Sequence, residues 1–267
     1  TMIQVAIMGA GGRMGVALIR SVKNFPNLKL AAAVEQPGHP MVGIDSGTVA
    51  GRPPNGVPVT DDPEAAVAAA DVVIDFTFHA AVPAVAECVR RHRKAYVLGT
   101  TGLTPGEMAA VEAAAEVSPV LMAPNMSLGV NLLLNLVKQA AAVLNTGYDA
   151  EIVEIHHRHK KDAPSGTALA LAKAVAAGRG VDFDAVACYG REGITGERAP
   201  ETIAVHAVRG GDIVGDHVVM FAADGERVEL SHKATGRGGL ASGALRAAEW
   251  LVAQRPGFHA LRDMLGL

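Results

Sequence analysis

Aromatic residues are scarce: Phe, Trp and Tyr make up 4% of the 267 residues, and Trp250 is the single tryptophan. Cysteine is scarcer still, with only Cys88 and Cys188. That excludes a disulfide framework and a CxxC metal knuckle and suits two reduced thiols. Neither sign of charge dominates. The 24 basic and 27 acidic residues leave a net charge of −3, which is no electrostatic footprint for nucleic acid. No apolar run approaches the roughly 20 residues of a membrane helix. No basic stretch precedes an apolar one at the start of the chain, so no signal peptide is read. Thr1, ahead of Met2, reads as a residue added before the native start. What is abundant is small and aliphatic, with 30 glycines and 49% hydrophobic residues. Such a composition excludes intrinsic disorder, and the length allows one large core or two smaller ones. A cytoplasmic protein that meets neither nucleic acid nor membrane is expected.

The first half alternates short apolar runs with helix-length stretches. The runs are Ile3 to Met8, Leu28 to Val34, Asp71 to Phe76, Ala95 to Leu98 and Val120 to Met122. Near-continuous apolar strands belong in a parallel sheet covered on both faces. The helical stretches are Arg13 to Asn24, Pro63 to Ala70, Ala80 to Arg93 and Pro105 to Val117, so the pattern is βαβα. After Asn125 the character changes. An apolar helix runs from Leu128 to about Leu144, a half-buried strand from Ala150 to His157 and another helix from Ser165 to Ala177. Thr202 to Val208, Ile213 to Phe221 and Arg227 to Ala234 alternate and read as an antiparallel meander. Leu240 to Gln254 and Gly257 to Leu265 return to helix. The expected fold is α/β: a Rossmann-type doubly wound parallel sheet from residues 1–125 and 238–267. An α+β substrate and oligomerisation domain, with a mixed and largely antiparallel sheet, is inserted at residues 126–237. Gly43 to Gly56 reads as a long, mobile surface loop.

Gly9-Ala10-Gly11-Gly12-Arg13-Met14-Gly15 follows the first strand and opens the first helix. Glycines there let backbone approach a pyrophosphate, whose charge meets the helix N-terminus. Glu35 ends the second strand, 20 positions after Gly15, where an acid grips a ribose diol. The strict GxGxxG register fails at Met14, and GxxGxxG describes the loop better. A plain βα turn with a surface glutamate is the other reading. Glu35 repels a 2′-phosphate and Gln36 supplies no cation, although Arg13 could reach a phosphate. NADH is therefore expected to serve at least as well as NADPH. Gly99-Thr100-Thr101-Gly102 and Ala123-Pro124-Asn125-Met126-Ser127 follow strands at their carboxyl ends, where open α/β sheets bind ligands. Turn chemistry alone also accounts for them.

The densest chemistry lies in Glu154-Ile155-His156-His157-Arg158-His159-Lys160-Lys161-Asp162-Ala163-Pro164-Ser165-Gly166-Thr167. Ser165 can cap the next helix, leaving the N–H groups of Ser165, Gly166 and Thr167 for a carboxylate. Lys160 can pair with the same anion or help proton transfer. A histidine nearby suits a general acid at neutral pH. A solvated basic loop is one alternative. A metal pair at His157 and His159 is another, although no further ligands complete it and no metal is expected. A cofactor domain beside a cationic, proton-donating site implies reduction of a C=C or C=N bond in an anionic small molecule. Two other readings are an aspartate- or sugar-type dehydrogenase and a non-catalytic NAD(H) sensor.

At these residues the chain resembles the 4-hydroxy-tetrahydrodipicolinate (dihydrodipicolinate) reductases of lysine biosynthesis. The resemblance covers nearly the whole chain and rests on Gly9 to Gly15, Gly99 to Gly102, Ala123 to Asn131 and above all Glu154 to Leu169. It implies His156 as proton donor and Lys160 as the second catalytic residue. It implies His157, Ser165, Gly166 and Thr167 as holders of a dicarboxylate. Gly9, Ala10, Gly11, Gly12, Arg13, Met14, Glu35, Gly99, Thr100, Thr101, Ala123, Pro124, Asn125 and Met126 would bind NADH or NADPH. A homotetramer built through the second sheet is also implied. Gln36 stands where many members carry arginine, Met126 where an aromatic is common, and Arg237 matches the arginine after the last strand.

Overall fold

Apolar runs that bury both faces assemble into one parallel sheet in the computed structural model, which describes residues 2–267. The reading of Thr1 lies outside these residues. The strands are β1 (Ile3–Met8), β2 (Leu28–Val34), β3 (Val59–Thr60), β4 (Val72–Asp75), β5 (Ala95–Leu98), β6 (Pro119–Met122) and β12 (Gly257–His259). Their order is β12-β6-β5-β4-β1-β2-β3, with every neighbouring pair parallel. The chain turns back on itself between β1 and β4, the switch point at which doubly wound sheets open a crevice. Helices α1 (Arg13–Ser21), α9 (Gly238–Leu251) and α10 (Leu261–Leu265) cover one face, around Val5, Ile7, Leu18, Ile74, Val97 and Leu245. Helices α3 (Pro63–Ala69), α4 (Val82–His92) and α5 (Pro105–Ala115) cover the other, around Met8, Val73, Val85, Tyr96 and Val111. This Rossmann-type unit comprises the chain up to Leu128 together with Arg237–Leu267.

One expectation is corrected here and one is refined. Gly257 does not start a helix: Gly257–His259 is the edge strand β12, paired in parallel with β6. A three-residue strand carries too little periodicity to separate from the helix behind it. The surface loop Gly43 to Gly56 holds a short helix that its sequence does not announce. Asp45 caps the short helix α2 (Ser46–Val49), and its carboxylate accepts the N–H groups of Gly47, Thr48, Asn55 and Gly56. A single side chain closes the loop on itself.

The second unit is Gly129–Gly236. After α6 (Leu128–Val143) come β7 (Asp149–His156), α7 (Gly166–Arg179), α8 (Phe183–Val186), β8 (Ala187–Tyr189), β9 (Ile203–Arg209), β10 (Gly215–Ala223) and β11 (Glu226–Ala234). The sheet order is β11-β10-β7-β9-β8. The expected meander is therefore wrong in one link. β10 and β11 form an antiparallel hairpin, but β7 lies between β10 and β9 and runs parallel to β9. Alternation reveals which face a strand buries; it does not name the neighbour. One face packs Ala150, Ile152, Val205, Val219 and Phe221 against Leu133 and Val137 of α6 and Leu171 and Val175 of α7. The other face carries Glu151, which binds Arg191, Arg198 and His206. These partners more than offset the cost of burial and hold its carboxyl down at about 2.

Helices α6 and α7 meet backbone to side chain at Gly178, where an added Cβ would lie 2.3 Å from the Lys138 carbonyl oxygen. Helix propensity alone favours Gly178→Ala by about 1 kcal/mol. The clash is with backbone, so the opposite sign is expected: a loss of about 1–3 kcal/mol, read as a lowered midpoint in urea.

Candidate active site

Alternation along β7 turns Ala150, Ile152, Glu154 and His156 toward the buried face. The last two are polar, and their burial needs partners. Glu154 is fully buried and has them: Arg209 donates two N–H bonds at 2.8 Å each, Ser165 N–H one at 3.0 Å, and His156 Nδ1 lies 2.6 Å away. Burial raises the cost of its charge, but Arg209, His156 and the Ser165 N–H outweigh it, so the carboxyl sits below its ordinary range. Nδ1 of His156 therefore carries a hydrogen toward Glu154, and Nε2 is the nitrogen left to exchange a proton. Gly215, which opens β10, keeps space beside that atom: an added Cβ would lie 2.9 Å from Nε2.

Ser165 caps α7, its Oγ accepting Ala168 N–H at 3.1 Å. A cis Ala163–Pro164 bond precedes it. The expectation that the Ser165 N–H is open to a ligand is corrected, because it is spent on Glu154. Gly166 and Thr167 begin the first helical turn, beside the Ser165 hydroxyl. Lys160 lies in the turn after β7, with Nζ 2.9 Å from Asp162 Oδ1. Asp162 is 65% exposed, so this pair is weak and the ammonium can change partners. The ring of His157 lies 6.2 Å from that of His159, and its Nδ1 is buried without a hydrogen-bond partner among the described residues. Sequence reasoning assigned nothing to Glu154, Arg209, Gly215 or His217. Glu154 and His156 stand two apart on a strand, a spacing that places them on one face and was available in the sequence. Arg209 and His217 come from β9 and β10, and only the strand order brings them in.

In the Rossmann-type unit three of the four loop glycines have separate reasons. Gly9 adopts φ +70°, Gly12 caps α1, and Gly15 lets α1 close onto Gly9 and Ala10 of the loop. A Cβ at Gly15 would lie 2.1 Å from the Gly9 carbonyl oxygen. Ala10 N–H bonds Val34 O and Gly12 N–H bonds Gly9 O, so these groups are spent within the fold. Glu35 accepts Gly11 N–H at 2.8 Å on Oε1 and its neighbour Gln36 N–H on Oε2, which leaves lone pairs on both oxygens for a diol. Behind the loop, buried Asp75 at the end of β4 accepts Thr77 N–H and Oγ1–H on one oxygen and Tyr96 Oη–H on the other. Burial pushes the carboxyl of Asp75 up. Thr77 in turn accepts the hydroxyl of Thr100, and its methyl lies over Gly9. The ends of β1, β4 and β5 are thus tied together. Arg13, Thr101 and Pro124 are exposed, whereas Ala10, Ala123 and Met126 are buried. The Met126 side chain fills the core, so a ligand could meet it only through backbone.

A Rossmann-type unit joined to a mixed-sheet unit with a buried histidine–carboxylate pair defines a class of two-unit oxidoreductases. The chain belongs to the dihydrodipicolinate reductase family. The family's N-terminal model matches residues 3–126 and its C-terminal model residues 129–265. A 4-hydroxy-tetrahydrodipicolinate reductase of Thiobacillus denitrificans is 52% identical over 265 residues, 99% of each chain. One from Anaeromyxobacter dehalogenans is 51% identical over 267 residues, covering 100% of this chain and 98% of that one. A dipicolinate-bound dihydrodipicolinate reductase of Paenisporosarcina sp. TG-14 superposes with a TM-score of 0.77 at 26% identity, over 99% of this chain and 100% of that one.

The Glu154 cluster sets an acid limit on stability. Its carboxyl is lower in the folded chain than the ordinary 4.5. The stabilisation is thus complete above about pH 4.5 and is lost as pH falls through the folded value. Glu154→Gln leaves Arg209 without its charge partner, so a loss of about 3 kcal/mol is expected at pH 7. The gap from the parent should narrow below pH 4.5, as followed by urea midpoints across pH.

Proposed function

We propose that this chain reduces 4-hydroxy-tetrahydrodipicolinate to tetrahydrodipicolinate with loss of water, in lysine and diaminopimelate biosynthesis in the cytoplasm. The observation that carries this reading is the Glu154–His156 pair beside the Ser165-capped start of α7, in a chain of this family. NADH or NADPH, when bound, supplies a hydride. The loop Gly9 to Met14, Glu35, Gly99 to Thr101 and Ala123 to Met126 hold it. Glu35 fits a ribose diol, its two oxygens each retaining a lone pair after binding Gly11 and Gln36. With no cation at Gln36, NADH is used at least as well as NADPH.

The residues of the second unit do the rest. Ser165, Gly166, Thr167 and His157 hold the two carboxylates, using a hydroxyl, a helix start and an imidazole. Loss of water from the substrate leaves a conjugated double bond. Hydride reaching one carbon of it leaves negative charge on the next, and His156 Nε2 delivers the proton there, with Glu154 fixing the ring from Nδ1. Lys160 leaves Asp162 to balance the added negative charge.

The test is oxidation of NADH at 340 nm with substrate made in situ from pyruvate and aspartate semialdehyde by a coupled synthase. Turnover blocked by pyridine-2,6-dicarboxylate is expected, with NADPH no faster. Lys160→Ala should lower kcat at least a hundredfold while NADH binding changes little. Full turnover in that variant would sink the assignment.

We also propose a homotetramer built through the second sheet. Its open face combines the Glu151 cluster with Val153, Ile155, Val218 and Met220, none of which is fully buried in the single chain. Val218→Asp should lower the mass seen in analytical ultracentrifugation from about four times 27.5 kDa to smaller species. An unchanged tetramer would remove this face from the assembly.

A further inference from the structure

His217 has no part in the mechanism above, yet it is buried in the same cluster, 4% exposed on β10. It stands opposite Glu154 on β7 and opposite His232 on β11. Its Nε2 lies 2.9 Å from Ser165 Oγ, and its ring meets that of His156 edge-on with centroids 5.2 Å apart. Its Nδ1 is buried and finds no hydrogen-bond partner among the described residues. The charged and titratable groups around it are Glu154 and His156 from β7, His232 from β11 and Lys160 from the turn after β7. Burial, reinforced by His156, holds the imidazole down at about 4, so the ring is neutral at pH 7.

A neutral imidazole has one N–H to place. On Nδ1 it would be a buried orphan donor, among the costliest of unmet groups. On Nε2 it meets Ser165 Oγ. The Nε2–H tautomer therefore wins, and His217 donates to the serine. Ser165 Oγ also accepts Ala168 N–H. Both acceptor sites of the hydroxyl are then filled, and its own hydrogen is directed at neither. In the reverse arrangement the serine would donate to His217 and turn a lone pair toward an anion, which repels it.

We propose that His217 is a positioning residue that fixes Ser165 as a hydrogen-bond donor to a substrate carboxylate. This rests on the reading above that Ser165 holds a carboxylate. His217 touches neither substrate nor cofactor; it acts through Ser165, and its effect belongs to binding more than to the chemical step.

Two measurements test it. Histidine-selective 15N NMR of the intact enzyme at pH 7 should show His217 as the Nε2–H tautomer; the Nδ1–H form, or a charged ring, overturns the proposal without any variant. Calorimetric titration of the NADH-loaded enzyme with pyridine-2,6-dicarboxylate supplies the second. His217→Leu should weaken binding about tenfold or more, and Ser165→Ala should do the same. The double variant should be no worse than either single one. His217→Gln, which keeps an N–H donor, should recover most of the loss. In turnover KM should rise more than kcat falls, and NADH affinity should stay at the parent value. Parent-like binding by His217→Leu, or additive losses in the double variant, overturns the inference. If the parent itself fails to bind pyridine-2,6-dicarboxylate, the carboxylate reading of Ser165 falls, and this inference with it.

Discussion

A carboxylate buried without partners drives its own protonation or the unfolding of the chain around it. Glu154 escapes both fates because three separate segments converge on it: His156 from its own strand, Arg209 from β9 and Ser165 from the start of α7. That convergence orders the site. The strand order β10-β7-β9 is what brings Arg209 and His217 to the flanks of Glu154, and α7 must begin where it does for Ser165 to reach it. The ring of His156, the start of α7 and the Arg209 end of β9 thus all meet at one ionised group. A local change at any of the three segments reaches the other two through it.

The Rossmann-type unit has a comparable device built on the opposite chemistry. Asp75 is surrounded by neutral donors, so burial raises its carboxyl, where Arg209 and its neighbours lower that of Glu154. Thr77 links Asp75 to Thr100 and to the space over Gly9. Two of the loops that the sequence marks as ligand-facing, the glycine loop after β1 and Gly99 to Gly102 after β5, are thereby held by side chains beneath them.

Much of this was legible in the sequence, for physical reasons that also explain the rest. Parallel strands such as Val72–Ile74 bury both faces and so appear as uninterrupted apolar runs, and the glycine loop followed by Glu35 locates the switch point. The segment from Glu154 to Thr167 is local, and its turn and cap chemistry can be read residue by residue. What failed was non-local. Nothing in Ile203–Arg209 says that it pairs in parallel with β7 and not with β10. The engagement of the Ser165 N–H depends on a carboxylate 11 residues away whose orientation is set by the strand order. The short helix capped by Asp45 goes unread because four residues carry no period.

Glu35 joins two tasks that are separable in principle. Its Oε1 holds the Gly11 N–H and so helps shape the glycine loop, while the function proposed above gives its remaining lone pairs to a ribose diol. A lineage that drifted toward a 2′-phosphorylated cofactor by exchanging this acid would unpin the loop in the same step. Change of preference is therefore easier to acquire at neighbouring positions, which add a cation and leave the acid in place. The loop's architecture thus makes Glu35 resistant to substitution for a reason unrelated to which cofactor is favoured.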